Sequence, residues 1–252
     1  MLKAFLFALI ATLPAAQAED HGSNWAYEGE MGPEHWAELE GSACNGEQQS
    51  PVNIIRTDAD PAHSNAWPMA LHYSPETMIY QAVNNGHSIQ FEFAEGDELT
   101  FRGERFTLRQ LHFHEPSEHT LNGVRYPIEM HMVHFSEKLQ QFVVLAVLGY
   151  EGKPSPGYDQ LESVLPLAPG KRKEVNKAFD LEKILPSRLT PRFHYTGSLT
   201  TPPCTEGVDW VVFEAPFMLS EPQVQLLKRN LPRNNYRDVQ PLNGPNVSLV
   251  VH

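Results

Sequence analysis

The chain is 252 residues long and sets 31 Asp and Glu against 19 Lys and Arg, a formal net charge of −12. This balance argues against nucleic acid and anionic membrane surfaces as partners and for solubility. With 41% apolar residues, no internal repeat and no low-complexity linker, the sequence has the material for one domain with a sizeable core.

Residues Met1–Ala18 read as a secretory leader. Lys3 gives the positive end, Ala4–Leu13 the apolar run, and Ala16-Gln17-Ala18 a small-residue cleavage site before Glu19. That run is too short to span a bilayer, and the best later stretch, Phe142–Leu148, has only strand length. The expected mature protein is residues 19–252, about 234 residues, periplasmic or secreted and without a membrane anchor. Cys44 and Cys204 are its two cysteines, and an even count in an exported chain favours a disulfide. Closing so long a loop would remove roughly 5 kcal/mol of unfolded-state entropy.

Downstream the pattern is mainly strand. Ile89–Phe93 alternates, Leu99–Phe101 and Phe106–Leu108 follow across turns, and Phe142–Leu148 and Val208–Phe213 are continuous apolar runs. Apolar residues on both parities of the Phe142 run predict a central strand buried on both faces. Helix is sparse. Ser220 can cap a helix carrying Val224, Leu227 and Leu231 on one stripe, with Gln223 reaching back, and a shorter helix is expected over Lys171–Phe179.

The densest chemistry lies in Gln110–Thr120, where three histidines and two glutamates fall within eleven residues. In a strand, side chains i and i+2 share a face, so alternation from Arg105 to His114 would put Phe106, Leu108, Gln110, His112 and His114 on one side. A second strand follows the turn signal Asn122-Gly123, with Glu129, His131, Val133 and Phe135 on one face and His134 on the other. Two imidazoles from the first strand and one from the second make a three-histidine site. That count leaves a fourth tetrahedral position for water, which marks a catalytic zinc rather than a closed structural one. Gln110 and Glu129, each two residues before a candidate ligand, can accept hydrogen bonds from His112 and His131. Taken singly, a strand histidine is more often an ordinary core or surface residue, so the case rests on the spacing.

These residues, together with Trp25-Ala26-Tyr27, Gly32-Pro33-Glu34-His35-Trp36, Gln49-Ser50-Pro51-Val52-Asn53-Ile54, Asn84-Asn85-Gly86-His87, Ser117-Glu118-His119-Thr120, Leu145-Ala146-Val147-Leu148-Gly149, Gly197–Cys204 and Gln240-Pro241-Leu242, resemble an α-class carbonic anhydrase of the exported bacterial kind. The likeness spans nearly all of the mature sequence. It implies a mainly β single domain on a large twisted, mostly antiparallel sheet, with short surface helices and zinc at the base of a conical cleft. It implies reversible hydration of carbon dioxide to bicarbonate and a proton through zinc-bound hydroxide, with Zn2+ on His112, His114 and His131. Thr200 matches the threonine that accepts a hydrogen bond from that hydroxide and donates to Glu118, which as an ionised acceptor fixes the direction of the bond. His87 matches the proton shuttle, suited by an imidazole pKa of about 6.5. Val133, Val147, Leu199, Thr201, Val208 and Trp210 match the substrate-binding wall, and Asn235 the residue whose carbonyl supports His114. Cys44 and Cys204 match the bridged pair of exported bacterial members. A homodimer is possible, since such relatives often pair.

Glu115, after His114, departs from the Trp common in vertebrate members, as does Phe135 after His134. Two rival readings use the same fold. A catalytically silent binding relative would typically have lost a zinc histidine, and all three are present. An ester hydrolase would want a second polar cluster for an acyl or alcohol group, and the sequence shows none.

Overall fold

Residues 25–63, 66–165 and 167–251 are described in the computed structural model of the chain, so the leader expected at residues 1–18 falls outside it. Alternating apolar residues give fifteen strands among the described residues: β1 (Asn53–Ile54), β2 (Asp60–Ala62), β3 (Met69–His72), β4 (Thr77–Asn84), β5 (Ile89–Phe93), β6 (Glu98–Phe101), β7 (Glu104–His114), β8 (Thr120–Leu121), β9 (Val124–Arg125), β10 (Ile128–Ser136), β11 (Gln141–Glu151), β12 (Arg172–Phe179), β13 (Arg192–Ser198), β14 (Glu206–Leu219) and β15 (Ser248–Val250). Twelve of them form one mixed sheet whose spine runs β12-β4-β5-β7-β10-β11-β14-β13-β15-β2.

The middle of that order positions the site. β7, β10 and β11 pair antiparallel, whereas β11 and β14 run parallel, as do β15 and β2, so the sheet is more mixed than expected. Residues on both parities of β11 are buried, from Val143 to Leu148, as the apolar run predicts. At the hairpin between β8 and β9, Asn122 and Gly123 both have positive φ (52° and 77°), the geometry of a turn whose twist suits antiparallel strands.

One face of the sheet is covered by an apolar core that includes Phe91, Leu111, Phe113, Met130, Met132, Leu145, Val147 and Phe213. The other carries Val133, Val144, Ala146, Val208, Trp210 and Val212. A smaller cluster gathers Trp25, Tyr27, Trp36 and Leu39 around the Cys44–Cys204 disulfide. Trp36 is fully buried and donates its indole N–H to the carbonyls of Ala26 and Met31, which fastens residues 26–36 to one another.

Two helices are α-helical among the described residues: α1 (Pro156–Glu162) and α2 (Glu221–Asn230). In α2, the Gln223 side chain reaches back to accept the Ser220 N–H at 2.9 Å, and Val224, Leu227 and Leu231 are buried. α1 was not anticipated, although Ser155-Pro156 is a cap followed by proline at the first position, and Ser155 Oγ accepts from the Tyr158 N–H. None of these helices is long and apolar enough to cross a membrane.

Two expectations are corrected. The helix expected at Lys171–Phe179 is instead β12, paired antiparallel with β4 at the end of the sheet. Its apolar Val175 and Phe179 are four residues apart, a spacing shared by one helical turn and two strand repeats, and the available edge of β4 decides. The face assignment of β7 also changes. Val133 pairs with Gln110 but His134 pairs with Leu108, so Arg109 is an extra residue, a β-bulge. Phe106 and Leu108 therefore join Leu111 and Phe113 in the core, while Gln110, His112 and His114 keep the opposite face.

Candidate metal centre

The bulge at Arg109 leaves Gln110, His112 and His114 projecting from β7 beside Glu129, His131 and Val133 of β10. In register, His112 lies opposite His131 and His114 opposite Glu129. One ring nitrogen from each of His112, His114 and His131 falls within 4.8 Å of the others.

Each ring is fixed by its remaining nitrogen. His112 Nδ1 meets Gln110 Oε1 at 2.7 Å, His114 Nδ1 meets the Asn235 carbonyl at 2.5 Å, and His131 Nε2 meets Glu129 Oε1 at 2.7 Å. All three partners are acceptors, so these nitrogens carry the protons and the inward ones present lone pairs. The inward nitrogens of His112 and His114 are 3.0 Å apart with no proton to share, an arrangement that suits a cation between them. Burial, first, and the neighbouring imidazoles push His112 well below its ordinary pKa. His114 falls to about 4 for the same first reason, with the Asn235 carbonyl acting the other way. His131 is lowered by burial against the attraction of Glu129. Neutral rings are the state a metal needs.

Glu129 anchors this arrangement from below. Its Oε1 also receives His119 Nδ1 at 2.6 Å, and its Oε2 accepts the backbone N–H groups of Glu118 and His119, both at 2.8 Å. Burial alone would raise its pKa, but the attraction of His119 and His131 and their hydrogen bonds hold it well below the carboxylate range. His119, Glu129 and His131 form a second cluster of ligand-type atoms, but those atoms are engaged with one another, so this cluster supports the first. Trp210 packs edge-on against His131 and His119, each at 4.9 Å between ring centroids, and donates its indole N–H to the Ser198 carbonyl.

Glu118 is fully buried, 3.5 Å from His114 Nε2, and its Oε1 accepts the Arg237 N–H at 2.9 Å. Oε2 makes no hydrogen bond of standard geometry, although the Thr200 hydroxyl comes close enough to draw the carboxyl's pKa down. Desolvation prevails, and without a cation Glu118 sits at about 7. Thr200 is held on a loop tied to the N-terminal segment: the Cys44–Cys204 bridge joins the two, Ala43 N–H bonds the Pro203 carbonyl, and Cys204 N–H closes back on Thr201.

The histidines open into a cavity of about 220 Å³. Val133, Phe142, Val144, Leu199 and Trp210 supply apolar lining, and Asn85, His87, Ser88, Gln90, Gln110, Thr200 and Thr201 polar lining. His87 stacks on Trp25 with ring centroids 3.6 Å apart. Tyr27 reaches the same cavity, and its hydroxyl has no hydrogen-bond partner among the described residues. Burial, then Glu118, pushes that phenol's pKa well up.

Of the residues singled out from the sequence, His87, Gln110, His112, His114, Glu118, Glu129, His131, Val133, Leu199, Thr200, Thr201, Trp210 and Asn235 gather at this centre. Val147 does not. It points into the core on the opposite face, because β11 alternates and Val144 and Ala146 hold the site-side positions. Val208 packs in the same cluster as Trp210 without lining the cavity. Trp25, Tyr27, Phe142 and Val144 were missed as site residues: both parities of β11 are apolar, so its pattern does not mark the site face, and Trp25 and Tyr27 come from a segment distant in sequence.

The chain matches the family described as eukaryotic-type carbonic anhydrase over residues 31–250. It is 39% identical over 240 residues to a carbonic anhydrase of Neisseria gonorrhoeae, covering 94% of this chain and 92% of the relative. Among solved structures it resembles an alpha-carbonic anhydrase of Thermovibrio ammonificans in complex with the inhibitor sulfanilamide, with a TM-score of 0.84 and 38% identity over 90% of this chain and 99% of that one. The Photobacterium profundum alpha-carbonic anhydrase gives a TM-score of 0.80 and 35% identity over 89% of this chain and 99% of its own.

Proposed function

The chain belongs to the eukaryotic-type carbonic anhydrase family, lyases that interconvert carbon dioxide and bicarbonate, and on that premise we propose that His112, His114 and His131 hold zinc at the floor of the cavity, where carbon dioxide is hydrated. The observation that carries this reading is the set of three converging lone pairs, two of them 3.0 Å apart, each backed by an acceptor on the far side of its ring. Three neutral nitrogen donors and no anionic ligand suit a catalytic zinc with an open fourth position. When bound, zinc supplies the Lewis acidity that lowers the pKa of water to about 7, a figure established for this family rather than read from this chain, and its charge favours the ionised form of Glu118.

The protein's own groups do the rest. An ionised Glu118 can only accept, so the Thr200 hydroxyl donates to it and turns its lone pairs to the attacking oxygen. Val133, Val144, Leu199 and Trp210 offer carbon dioxide, which has no net dipole, an apolar wall beside that oxygen. Thr201, on the same loop, offers the polar end of the pocket to the product. His87, stacked on Trp25 at the side of the cavity, takes the released proton towards solvent. Export to the periplasm belongs to the same reading, supported by the leader-like residues 1–18 and by the formed disulfide.

Stopped-flow hydration of carbon dioxide by residues 19–252 tests this, with a chelated sample and His112→Ala alongside. Rapid turnover that disappears with the metal and with His112 is expected. A folded, zinc-loaded protein without turnover would contradict the assignment.

A further inference from the structure

The pairing of β5 with β7 stops at Leu111, three residues short of His114. Buried backbone groups beyond that point still need partners. Asn235, fully buried and 121 residues further along the chain, supplies them. Its Oδ1 accepts the Glu115 N–H at 2.7 Å and its Nδ2 donates to the Phe113 carbonyl at 3.0 Å. A side-chain amide thus stands where a neighbouring strand's peptide would, bonding the residues on either side of His114. The main-chain carbonyl of the same residue holds the His114 ring.

The amide has one more N–H to give. It goes to the His87 carbonyl at 3.3 Å. Ser88, the next residue of that loop, donates its hydroxyl to the same Phe113 carbonyl at 3.0 Å, so loop and strand meet at one shared acceptor. We infer that the Asn235 amide is a positioning group that couples the His114 end of β7 to the loop carrying His87, so that fixing His114 on a cation also fixes the place of His87. This rests on the roles proposed above for His114 and His87. Coupling of this kind is reciprocal: whatever orders one end is felt at the other.

Hydrogen exchange reads the coupling directly. The loop amides of Gly86, His87 and Ser88 are bonded to Asn84 and Asn85 side chains, so their exchange reports loop order. Gly123, held by Asn53, serves as a reference remote from Asn235. In the wild type, Zn2+ should slow exchange at residues 86–88 by about tenfold relative to Gly123, within the range of couplings between linked sites. In Asn235→Ala, which keeps the backbone carbonyl for His114 and leaves Ser88 in place, the slowing should fall below about twofold. That variant should also lose turnover in dilute buffer, with kcat/KM largely kept and kcat restored by added imidazole. Zinc uptake without protection of residues 86–88 in the wild type, or equal protection in both proteins, would overturn the coupling alone. Absence of zinc uptake by the wild type would overturn the metal assignment and the coupling with it. Should Asn235→Ala not fold, the wild-type comparison still decides.

Discussion

The two faces of β7, β10 and β11 are made of alternate residues of the same strands, yet they differ in almost every physical respect. One face presents Leu111, Phe113, Met130, Met132, Leu145 and Val147, buried against other apolar side chains. The other presents Gln110 and His112, half-buried at an open cavity, and His114, Glu129 and His131, buried behind them. Each large side chain on the first face contributes roughly 1.5–3 kcal/mol by leaving water. Groups on the second cost free energy to bury and persist because nearly every polar atom is paired. Stability and chemistry are thus separated by the two-residue period of a strand, and a single residue can exchange them.

Leu111 is such a residue, paired with Met132 between Gln110 and His112, and removing it should have the largest effect. Deleting it would bring His112 next to Gln110, turning His112 and His114 towards the core and Phe113 into the cavity. No folded, zinc-binding protein is expected by circular dichroism and metal analysis. Arg109→Ala, at the bulge, keeps the residue count and gives up an exposed contact with Glu137 and one with the Phe135 ring, so it should fold and stay within about 1 kcal/mol of the wild type. A stable, active deletion variant would break the separation of the faces.

A smaller effect sharpens it. Val144 and Val147 are both buried, but Val144 lines the cavity and Val147 the core. Val144→Phe should cut turnover about 10²-fold by displacing the substrate position, with little change in the unfolding midpoint. Val147→Phe should overpack the core, lower stability by about 1–3 kcal/mol, and leave turnover per folded molecule nearly intact. Steady-state kinetics beside thermal unfolding distinguishes the two.

Much of the metal centre was legible because its chemistry is local. His112 with His114, Gln110 with His112 and Glu129 with His131 are all i, i+2 pairs, and strand periodicity alone puts each on one face. The bulge also left a trace that simple alternation overlooks: apolar Phe106 and Leu108 have one parity, Leu111 and Phe113 the other, and two polar residues, Arg109-Gln110, separate them. β11 concealed its site face because both parities are apolar, which is why motif matching chose Val147 over Val144. Trp25 against His87, Tyr27 beside Glu118 and the clamp of Asn235 on His114 depend on segments brought together by the tertiary fold, and no periodicity announces them. The end of the sheet was misread for a different reason, since strand or helix at Arg172–Phe179 is decided by the open edge of β4 rather than by the segment.

Adjacent residues offer the most direct test of the two-faced strand. Zinc stoichiometry and unfolding free energy should be measured together for His112→Ala and Phe113→Ala. The expected result is a crossover. His112→Ala should lose bound zinc and turnover while the metal-free protein stays within about 1 kcal/mol of the metal-free wild type. Phe113→Ala should lose about 3–5 kcal/mol of stability yet bind one zinc per folded molecule. If both substitutions cost stability and zinc alike, the two faces are one cooperative unit, and stability and chemistry are not separated by strand parity.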